Sequence, residues 1–211
     1  MIPGTELAQL LTCKRLLIFD FDGTIADSSA LHEQAFREVL EPLGLHVDYS
    51  RLAGRTTSDA VRHCFELNLR ADYDTDLLDS LSSRKQVRGR ELIATQLTAF
   101  PAAMALLQRV RISHRLALVT SGSRRSIELA LSRLGLLGWF DPLLAAEDLE
   151  RSKPAPHGFL DALQRTGIAA GDALVFEDSE AGFEAARRAG IDFIDATRLE
   201  QLMIRDAGDG N

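Results

Sequence analysis

The chain of 211 residues is 45% hydrophobic and 26% charged, a composition typical of a globular protein. Its 31 acidic and 24 basic residues give a formal net charge of −7, which argues against a nucleic-acid partner because phosphate-backbone binding depends on Lys and Arg. No apolar run approaches the roughly 20 residues that a membrane-spanning helix needs. We therefore expect neither nucleic acid nor membrane among its partners, and we expect a monomer.

The amino-terminal segment MIPGTELAQLLTCKR lacks a basic start followed by a long apolar core, so the sequence predicts no secretory leader. The two cysteines, Cys13 and Cys64, do not have the spacing of metal ligands. Both features favour the reducing cytoplasm as the location of the protein.

Short apolar runs alternate with helical patterns along most of the chain. Runs of this kind are typical of strands that are buried on both faces of a parallel sheet. The predicted strands are residues 15–20, 115–120, a weaker one at 142–146, 173–178 and 191–194. The helical patterns at 126–134, 157–167 and 179–190 each end at a glycine. This alternation predicts an α/β fold with a doubly wound, Rossmann-like parallel sheet.

Residues 27–97 interrupt the alternation, because they contain helical patterns only. A stretch of roughly 70 residues is far longer than a crossover between parallel strands requires. Within it, Thr56-Thr57-Ser58-Asp59 has the spacing of a capping box and predicts a helix start. The sequence thus predicts an α/β core of residues 1–26 and 98–211, with residues 27–97 inserted as a helical cap. Residues 205–211 lack apolar anchors, so we expect them to be frayed.

Polar groups follow the predicted strands at their carboxyl ends. In an open parallel sheet these ends line one edge, where ligands bind, so the groups are expected to meet. Two unit charges about 4 Å apart interact by roughly 4 kcal/mol at an effective dielectric near 20, so four ionised carboxylates need cations nearby. One lysine is insufficient, and all-oxygen ligands favour Mg²⁺. The residues concerned are Asp20, Asp22, Thr120, Ser121, Gly122, Lys153, Glu177 and Asp178.

Each of these motifs alone has a simpler explanation. Asp22-Gly23 is also typical of a hairpin turn, and Lys153 before Pro154 is by itself typical of a solvated side chain. An acidic pair such as Glu177-Asp178 would also favour the positive end of the following helix. The coincidence of the motifs at strand ends, in this order, favours one shared site.

The stretches FDFDGTIADS, LVTSGS, KPAP and FEDSEAG resemble the four motifs of the haloacid-dehalogenase-like superfamily. The similarity is closest to the subgroup with a helical cap after the first motif, which includes sugar-phosphate phosphatases and β-phosphoglucomutase-like enzymes. The resemblance implies a Mg²⁺-dependent phosphatase that hydrolyses a small phosphorylated metabolite through an aspartyl-phosphate.

The resemblance also implies roles for individual residues. Asp20 would be the nucleophile that attacks phosphorus, and Asp22 would exchange protons with the leaving alcohol and the hydrolytic water. Lys153 would neutralise charge near Asp20, and Thr120 would bind the phosphoryl oxygens. The phosphate-binding loops would further include Gly23, Ser121 and Gly122. The Mg²⁺ ligands would be Asp20, the carbonyl of Asp22, Glu177 and Asp178, and Asp27 and Ser28 would mark the hinge into the cap.

Two neighbouring activities within this superfamily are disfavoured. Relatives that cleave carbon–halogen bonds lack an acid at the position of Asp22, since a halide leaving group needs no proton. Phosphonate-cleaving relatives use a lysine of the cap as a Schiff base. The only lysine between residues 27 and 97 is Lys85, which lies in the polar run SSRKQVRGR and is expected on a solvated helix face.

A phosphosugar mutase remains an alternative. The mutases carry a cap arginine shortly after a Gly-x-Ser/Thr turn, whereas in Gly54-Arg55-Thr56-Thr57 the residue at that place is Thr57. His32, Arg55 and Thr57 are therefore candidate substrate contacts in the cap, although a surface His and Arg on helix edges explain the pattern equally well. A non-enzymatic, phospho-accepting receiver protein is disfavoured, because such domains lack a helical insertion and carry their acidic pair on the first strand.

Overall fold

The computed structural model describes residues 7–52 and 55–208. Its strands form one five-stranded parallel sheet in the order β3-β2-β1-β4-β5. The strands are β1 (Leu16–Phe19), β2 (Arg115–Val119), β3 (Leu143–Leu144), β4 (Ala173–Glu177) and β5 (Asp192–Asp195). The predicted α/β class is confirmed, and the weaker strand predicted at 142–146 is reduced to two residues.

Helices occupy most of the remaining chain, and the longest lies between the first two strands. Short 3₁₀ turns at Glu41–Leu43, Tyr49–Arg51, Ala146–Asp148, Ala170–Asp172 and Ala196–Arg198 connect them. Among the described residues, no helix is both long and apolar enough to cross a membrane. The α-helices are α1 (Leu7–Thr12), α2 (Ser29–Leu40), α3 (Thr57–Leu67), α4 (Thr75–Gln96), α5 (Pro101–Val110), α6 (Arg124–Leu134), α7 (His157–Thr166), α8 (Glu180–Ala189) and α9 (Leu199–Gly208).

Both faces of the sheet are covered, because successive side chains of a strand point to opposite sides. In β1, Leu17 and Phe19 pack with residues of α1, α5, α6 and α9, whereas Leu16 and Ile18 pack with residues of α7 and α8. Phe19 stacks on Phe176 of β4 with the ring centroids 4.6 Å apart. These contacts hold β1 rigidly at the centre of the sheet, where the direction of chain winding reverses.

The carboxyl-terminal segment is more ordered than the sequence predicts. Helix α9 runs to Gly208, so the prediction of fraying is wrong for residues 205–208. The reason is that α9 begins on apolar residues that pack on the core, with Leu199 buried and Leu202 and Met203 beside it. The last residues of the predicted frayed segment, 209–211, lie outside the described residues.

Helices α2, α3 and α4 pack on one another around their own apolar cluster, which includes Phe36, Val61 and Phe65. Helix α3 begins where the sequence predicts, since the Thr56 hydroxyl accepts a hydrogen bond from the Asp59 amide at 3.3 Å. Gly54 of the predicted turn before it lies outside the described residues. This separate cluster is what a covering lobe needs in order to hold its shape.

The chain leaves the sheet and returns to it at adjacent points. The amide of Asp27 donates to the carbonyl of Thr98 at 3.0 Å, and the amide of Phe100 donates to the carbonyl of Ile25 at 2.9 Å. Arg133 of α6 also donates to the carbonyl of Leu97 at 3.0 Å. These bonds lie at the predicted boundaries of the helical insertion, and the division into core and cap stays a prediction.

Candidate active site

The ammonium group of Lys153 lies at the carboxyl end of the sheet and uses all three of its N–H donors. It donates to Oδ1 of Asp20 at 2.5 Å, to Oε2 of Glu177 at 2.7 Å and to the carbonyl of Val119 at 3.2 Å. These partners come from the ends of β1, β4 and β2. Burial alone would lower the pKa of Lys153, but Asp20 and Glu177 outweigh it and raise the pKa, so the lysine is charged.

Three carboxylates gather around this ammonium group. Asp20, Glu177 and Asp178 each offer an oxygen, and these oxygens lie within 4.8 Å of one another. Burial and the neighbouring Glu177 raise the pKa of Asp20 well above its usual value, and the same two causes raise the pKa of Asp178 to about 6. One ammonium group therefore does not balance the cluster, and a donor set made only of oxygens fits a hard divalent cation such as Mg²⁺.

Two glycines make room for these carboxylates. A Cβ atom on Gly23 would lie 2.0 Å from Oδ2 of Asp178, and Gly23 also has a φ of +80°, which favours glycine. A Cβ atom on Gly182 would lie 2.0 Å from Cδ of Glu177. Glycine at position 23 therefore allows the loop after β1 to lie against Asp178, which follows β4. The hairpin explanation of Asp22-Gly23 did not include this contact.

Asp22 lies next to this cluster, and its carboxylate faces the helical insertion. Its Oδ1 accepts a hydrogen bond from the Ser28 hydroxyl at 2.5 Å and lies 3.3 Å from Nε2 of His32. Burial raises the pKa of Asp22, but His32, Ser28 and Lys85 outweigh burial and leave the pKa lowered. The side chain is not part of the three-carboxylate cluster, so any contribution of Asp22 to a metal site would come from its carbonyl.

Lys85 of α4 corrects the sequence prediction, because it is buried and only 5% exposed. Its ammonium group lies 3.0 Å from Nδ1 of His32 and 4.3 Å from the ring centre of Phe36. Since an ammonium group can only donate, Nδ1 of His32 accepts and the Nε2 hydrogen faces Asp22. Burial lowers the pKa of Lys85 to about 8, although Asp22 acts in the opposite direction.

Thr120 lies at the end of β2 and is buried, with its hydroxyl oxygen accepting a hydrogen bond from the Gly122 amide at 3.0 Å. This bond tightens the Thr120-Ser121-Gly122 loop. Ser121 and Gly122 line the same cavity as Asp20, whereas Thr120 itself does not line it. A Cβ atom on Gly122 would lie 2.8 Å from Cδ1 of Ile127, so this loop also requires a small residue.

A cavity of about 390 Å³ lies between the sheet edge and the helical insertion. The candidate cap residues His32, Arg55 and Thr57 all line it, together with the core carboxylates and Lys153. The sequence prediction did not include Tyr49, Ser50, Lys85, Gln86, Ser123 and Ser126. Lys85 could have been found from helical spacing, since Leu78, Leu81 and Leu92 of the same helix are buried on its face.

We expect Gly182→Ala to lower the free energy of unfolding by about 1–3 kcal/mol, because the added methyl group overpacks against the buried Glu177 side chain. Chemical denaturation of the two proteins measures the change. Gly171→Ala is the matched control, because a Cβ atom there meets nothing within 4 Å, and its effect should stay within about 0.5 kcal/mol. Equal stability of the two variants would contradict the close approach.

We expect Lys85→Met to raise the free energy of unfolding near neutral pH by about 1–3 kcal/mol, because folding then no longer buries an ammonium group. The pKa of Lys85 is about 8 in the folded state, below about 10.4 in an unfolded chain. The cost of burying the charge is therefore full below about pH 8, falls as the pH rises, and is gone above about pH 10.4.

Urea denaturation of both proteins across this pH range measures the difference. The exposed neighbour Arg84 provides the control variant Arg84→Met, for which no such pH-dependent gain is expected. A Lys85→Met gain that is absent near neutral pH, or that grows with rising pH, would show that Lys85 is not buried as a charge.

Known proteins resemble this chain over most of its length. The family model described as haloacid dehalogenase-like hydrolase matches residues 17–196. Fructose-1-phosphate phosphatase YqaB of Escherichia coli strain K12 is 37% identical over 189 residues, which cover 87% of this chain and 96% of that protein. Phosphorylated carbohydrates phosphatase of Thermotoga maritima is 30% identical over 179 residues, which cover 84% of this chain and 82% of that protein.

The crystal structure of CbbY from Rhodobacter sphaeroides in complex with phosphate has a similar fold. It superposes with a TM-score of 0.75 at 25% identity and covers 85% of this chain and 84% of that chain. The matches extend over most of the chain and include the four motifs at the strand ends, so they establish the family to which the chain belongs. The chain belongs to the haloacid dehalogenase-like hydrolase family.

Proposed function

We propose that the chain is a Mg²⁺-dependent phosphatase that hydrolyses a small sugar phosphate through an aspartyl-phosphate on Asp20. The observation that carries this proposal is the ammonium group of Lys153, which holds Asp20 and Glu177 at the floor of the cavity between the sheet and the helical insertion. A buried carboxylate fixed in this way can face a phosphate ester whose negative charge would otherwise repel it.

In the first step an oxygen of Asp20 forms a bond to phosphorus, and the bond between phosphorus and the leaving alcohol breaks. Lys153 offsets the charge that Asp20 and the phosphoryl group bring together. The hydroxyls of Thr120 and Ser121 would donate hydrogen bonds to the phosphoryl oxygens. Ser121 and Gly122 line the same cavity as Asp20, and the Gly122 amide holds the Thr120 hydroxyl oxygen. Phosphate monoesters hydrolyse extremely slowly without a catalyst, so such electrostatic stabilisation is required.

Asp22 handles the protons of both steps. The lowered pKa leaves Asp22 ionised in the free enzyme, so Asp22 first takes up a proton when the negatively charged phosphate ester binds beside it. It gives this proton to the leaving alcohol oxygen as the bond between that oxygen and phosphorus breaks. It then takes a proton from the water that attacks the phosphorus of the aspartyl-phosphate, which releases phosphate and restores Asp20. Ser28 and His32 fix the Asp22 carboxylate toward the cavity, and Lys85 fixes the tautomer of His32.

Asp20, Glu177, Asp178 and the carbonyl of Asp22 would hold the cation. When bound, Mg²⁺ supplies positive charge that stabilises the phosphoryl group during transfer. The fit of the site to Mg²⁺ rests on the three carboxylates, whose oxygens lie within 4.8 Å of one another with a single ammonium group between them.

The substrate class follows from the cavity and from the relatives. A volume of about 390 Å³ suits a small molecule, and the names of two relatives specify fructose 1-phosphate and phosphorylated carbohydrates. Hydroxyl and amide side chains at its wall, such as Ser50, Gln86 and Ser126, can bind the hydroxyl groups of a sugar. Closure of the helical insertion over the substrate would exclude water.

A phosphosugar mutase is a second candidate with weaker support. The candidate position for a cap arginine carries Thr57, which lines the cavity together with Arg55. The cytoplasmic location and the monomeric state stay predictions from the sequence.

We expect Asp20→Asn to reduce phosphate release from sugar phosphates at least a thousandfold, because an amide cannot form the bond to phosphorus. The assay measures phosphate release and sugar-phosphate isomerisation together, with Mg²⁺, over a panel that includes fructose 1-phosphate. Asp79→Asn on the exposed face of α4 is the control and should retain activity. Turnover by Asp20→Asn would overturn the mechanism, and isomerisation without phosphate release would establish the mutase instead.

A further inference from the structure

Tyr49 is held at the cavity wall by contacts within the helical insertion. It begins the 3₁₀ turn Tyr49–Arg51 between α2 and α3, and it lines the same cavity as Asp20 and Asp22. Its ring packs on Phe36 of α2, with the centroids 6.2 Å apart and the planes inclined by 40°. The ammonium group of Lys85 lies over the ring of Phe36. The Phe36 ring is therefore held between Lys85 and Tyr49, and it in turn supports the Tyr49 ring.

The hydroxyl of Tyr49 has no hydrogen-bond partner among residues 7–52 and 55–208. The hydroxyl oxygen is not buried away from solvent, so a bound molecule can replace water as its hydrogen-bond acceptor. Burial raises the pKa of Tyr49 above its usual value, and the carboxylates of Asp22, Glu33 and Asp178 raise it further. The phenol therefore stays protonated at neutral pH and can donate a hydrogen bond.

These surroundings decide which part of a substrate the hydroxyl can bind. Asp22, Glu33 and Asp178 act on it electrostatically, so an anion would be repelled there. The phosphoryl group belongs at Asp20, beside the positive charge of Lys153. The hydroxyl of Tyr49 is therefore suited to donate a hydrogen bond to a neutral acceptor on the leaving group. The hydroxyl oxygens of a sugar or polyol are such acceptors.

We propose that Tyr49 is a specificity-determining residue, whose hydroxyl donates a hydrogen bond to a hydroxyl oxygen of the substrate's leaving group. This selects sugar and polyol phosphates over alkyl phosphates of the same length. The inference rests on the proposed function, since it assigns the leaving group of the same cavity. A substrate without a hydroxyl group at this place would leave the Tyr49 hydroxyl unpaired in the complex. Such an unpaired polar group lowers the affinity for a molecule that is otherwise similar.

Calorimetric binding tests this role without turnover. In the Asp20→Asn background with Mg²⁺ present, the probes are sorbitol 6-phosphate and hexyl phosphate, which differ in their hydroxyl groups. We expect Tyr49→Phe to weaken binding of sorbitol 6-phosphate by about 3- to 10-fold, the usual effect of one neutral hydrogen bond. Binding of hexyl phosphate should change by less than about 2-fold, because it offers no hydroxyl acceptor.

Tyr73→Phe is the matched control, because Tyr73 belongs to the same helical insertion but does not line the cavity. Its ring packs on Phe65, with the ring centroids 5.0 Å apart. It should change the affinity for neither probe. Unchanged binding of sorbitol 6-phosphate by Tyr49→Phe, an equal loss for both probes, or no binding of sorbitol 6-phosphate in the Asp20→Asn background would each overturn the role of Tyr49. Failure of the proposed function shows separately, as absence of phosphate release by the enzyme with Asp20 intact.

Discussion

The ammonium group of Lys153 is the contact on which the arrangement of the site depends. It joins carboxylates from two neighbouring strands and a carbonyl from a third, so the ends of β1, β2 and β4 share one positive charge. Removing it would leave Asp20 and Glu177 buried and facing each other without compensation, a cost of several kcal/mol. The strand order places these ends together, because β1 lies between β2 and β4. The apolar packing of the sheet therefore supports an electrostatic arrangement that the same residues could not maintain in a flexible loop.

The two aspartates of the first motif have different surroundings, and this difference suits different tasks. Asp20 belongs to the carboxylate cluster of the sheet, whereas Asp22 is hydrogen-bonded to Ser28 and His32 at the entrance to the helical insertion. Lys85 of α4 donates a hydrogen bond to His32, so the contacts that hold Asp22 reach as far as α4. The acid–base group of the proposed reaction is thus held by the insertion that would cover the substrate, and the nucleophile is held by the sheet.

Sequence patterns predicted the sheet and the strand-end residues well, because both depend on short-range signals. Apolar runs locate strands, and a parallel sheet brings their carboxyl ends to one edge. Lys85 was predicted wrongly, because the polar run around it outweighed its spacing from buried leucines of the same helix. Tyr49 was missed for another reason, since it lies in a single 3₁₀ turn, where no periodicity reports which side chain faces the cavity. The domain boundaries and the roles of the site residues stay predictions.

Calorimetric titration with Mg²⁺ measures whether a cation completes the charge balance of the carboxylate cluster. Asp20, Glu177 and Asp178 face a single lysine, so a bound cation should complete the balance. We expect one Mg²⁺ to bind per chain, and we expect Asp178→Asn to weaken this binding at least about 10-fold, since a carboxylate ligand to a hard cation is lost. Equal Mg²⁺ affinity of the wild type and Asp178→Asn would contradict this expectation.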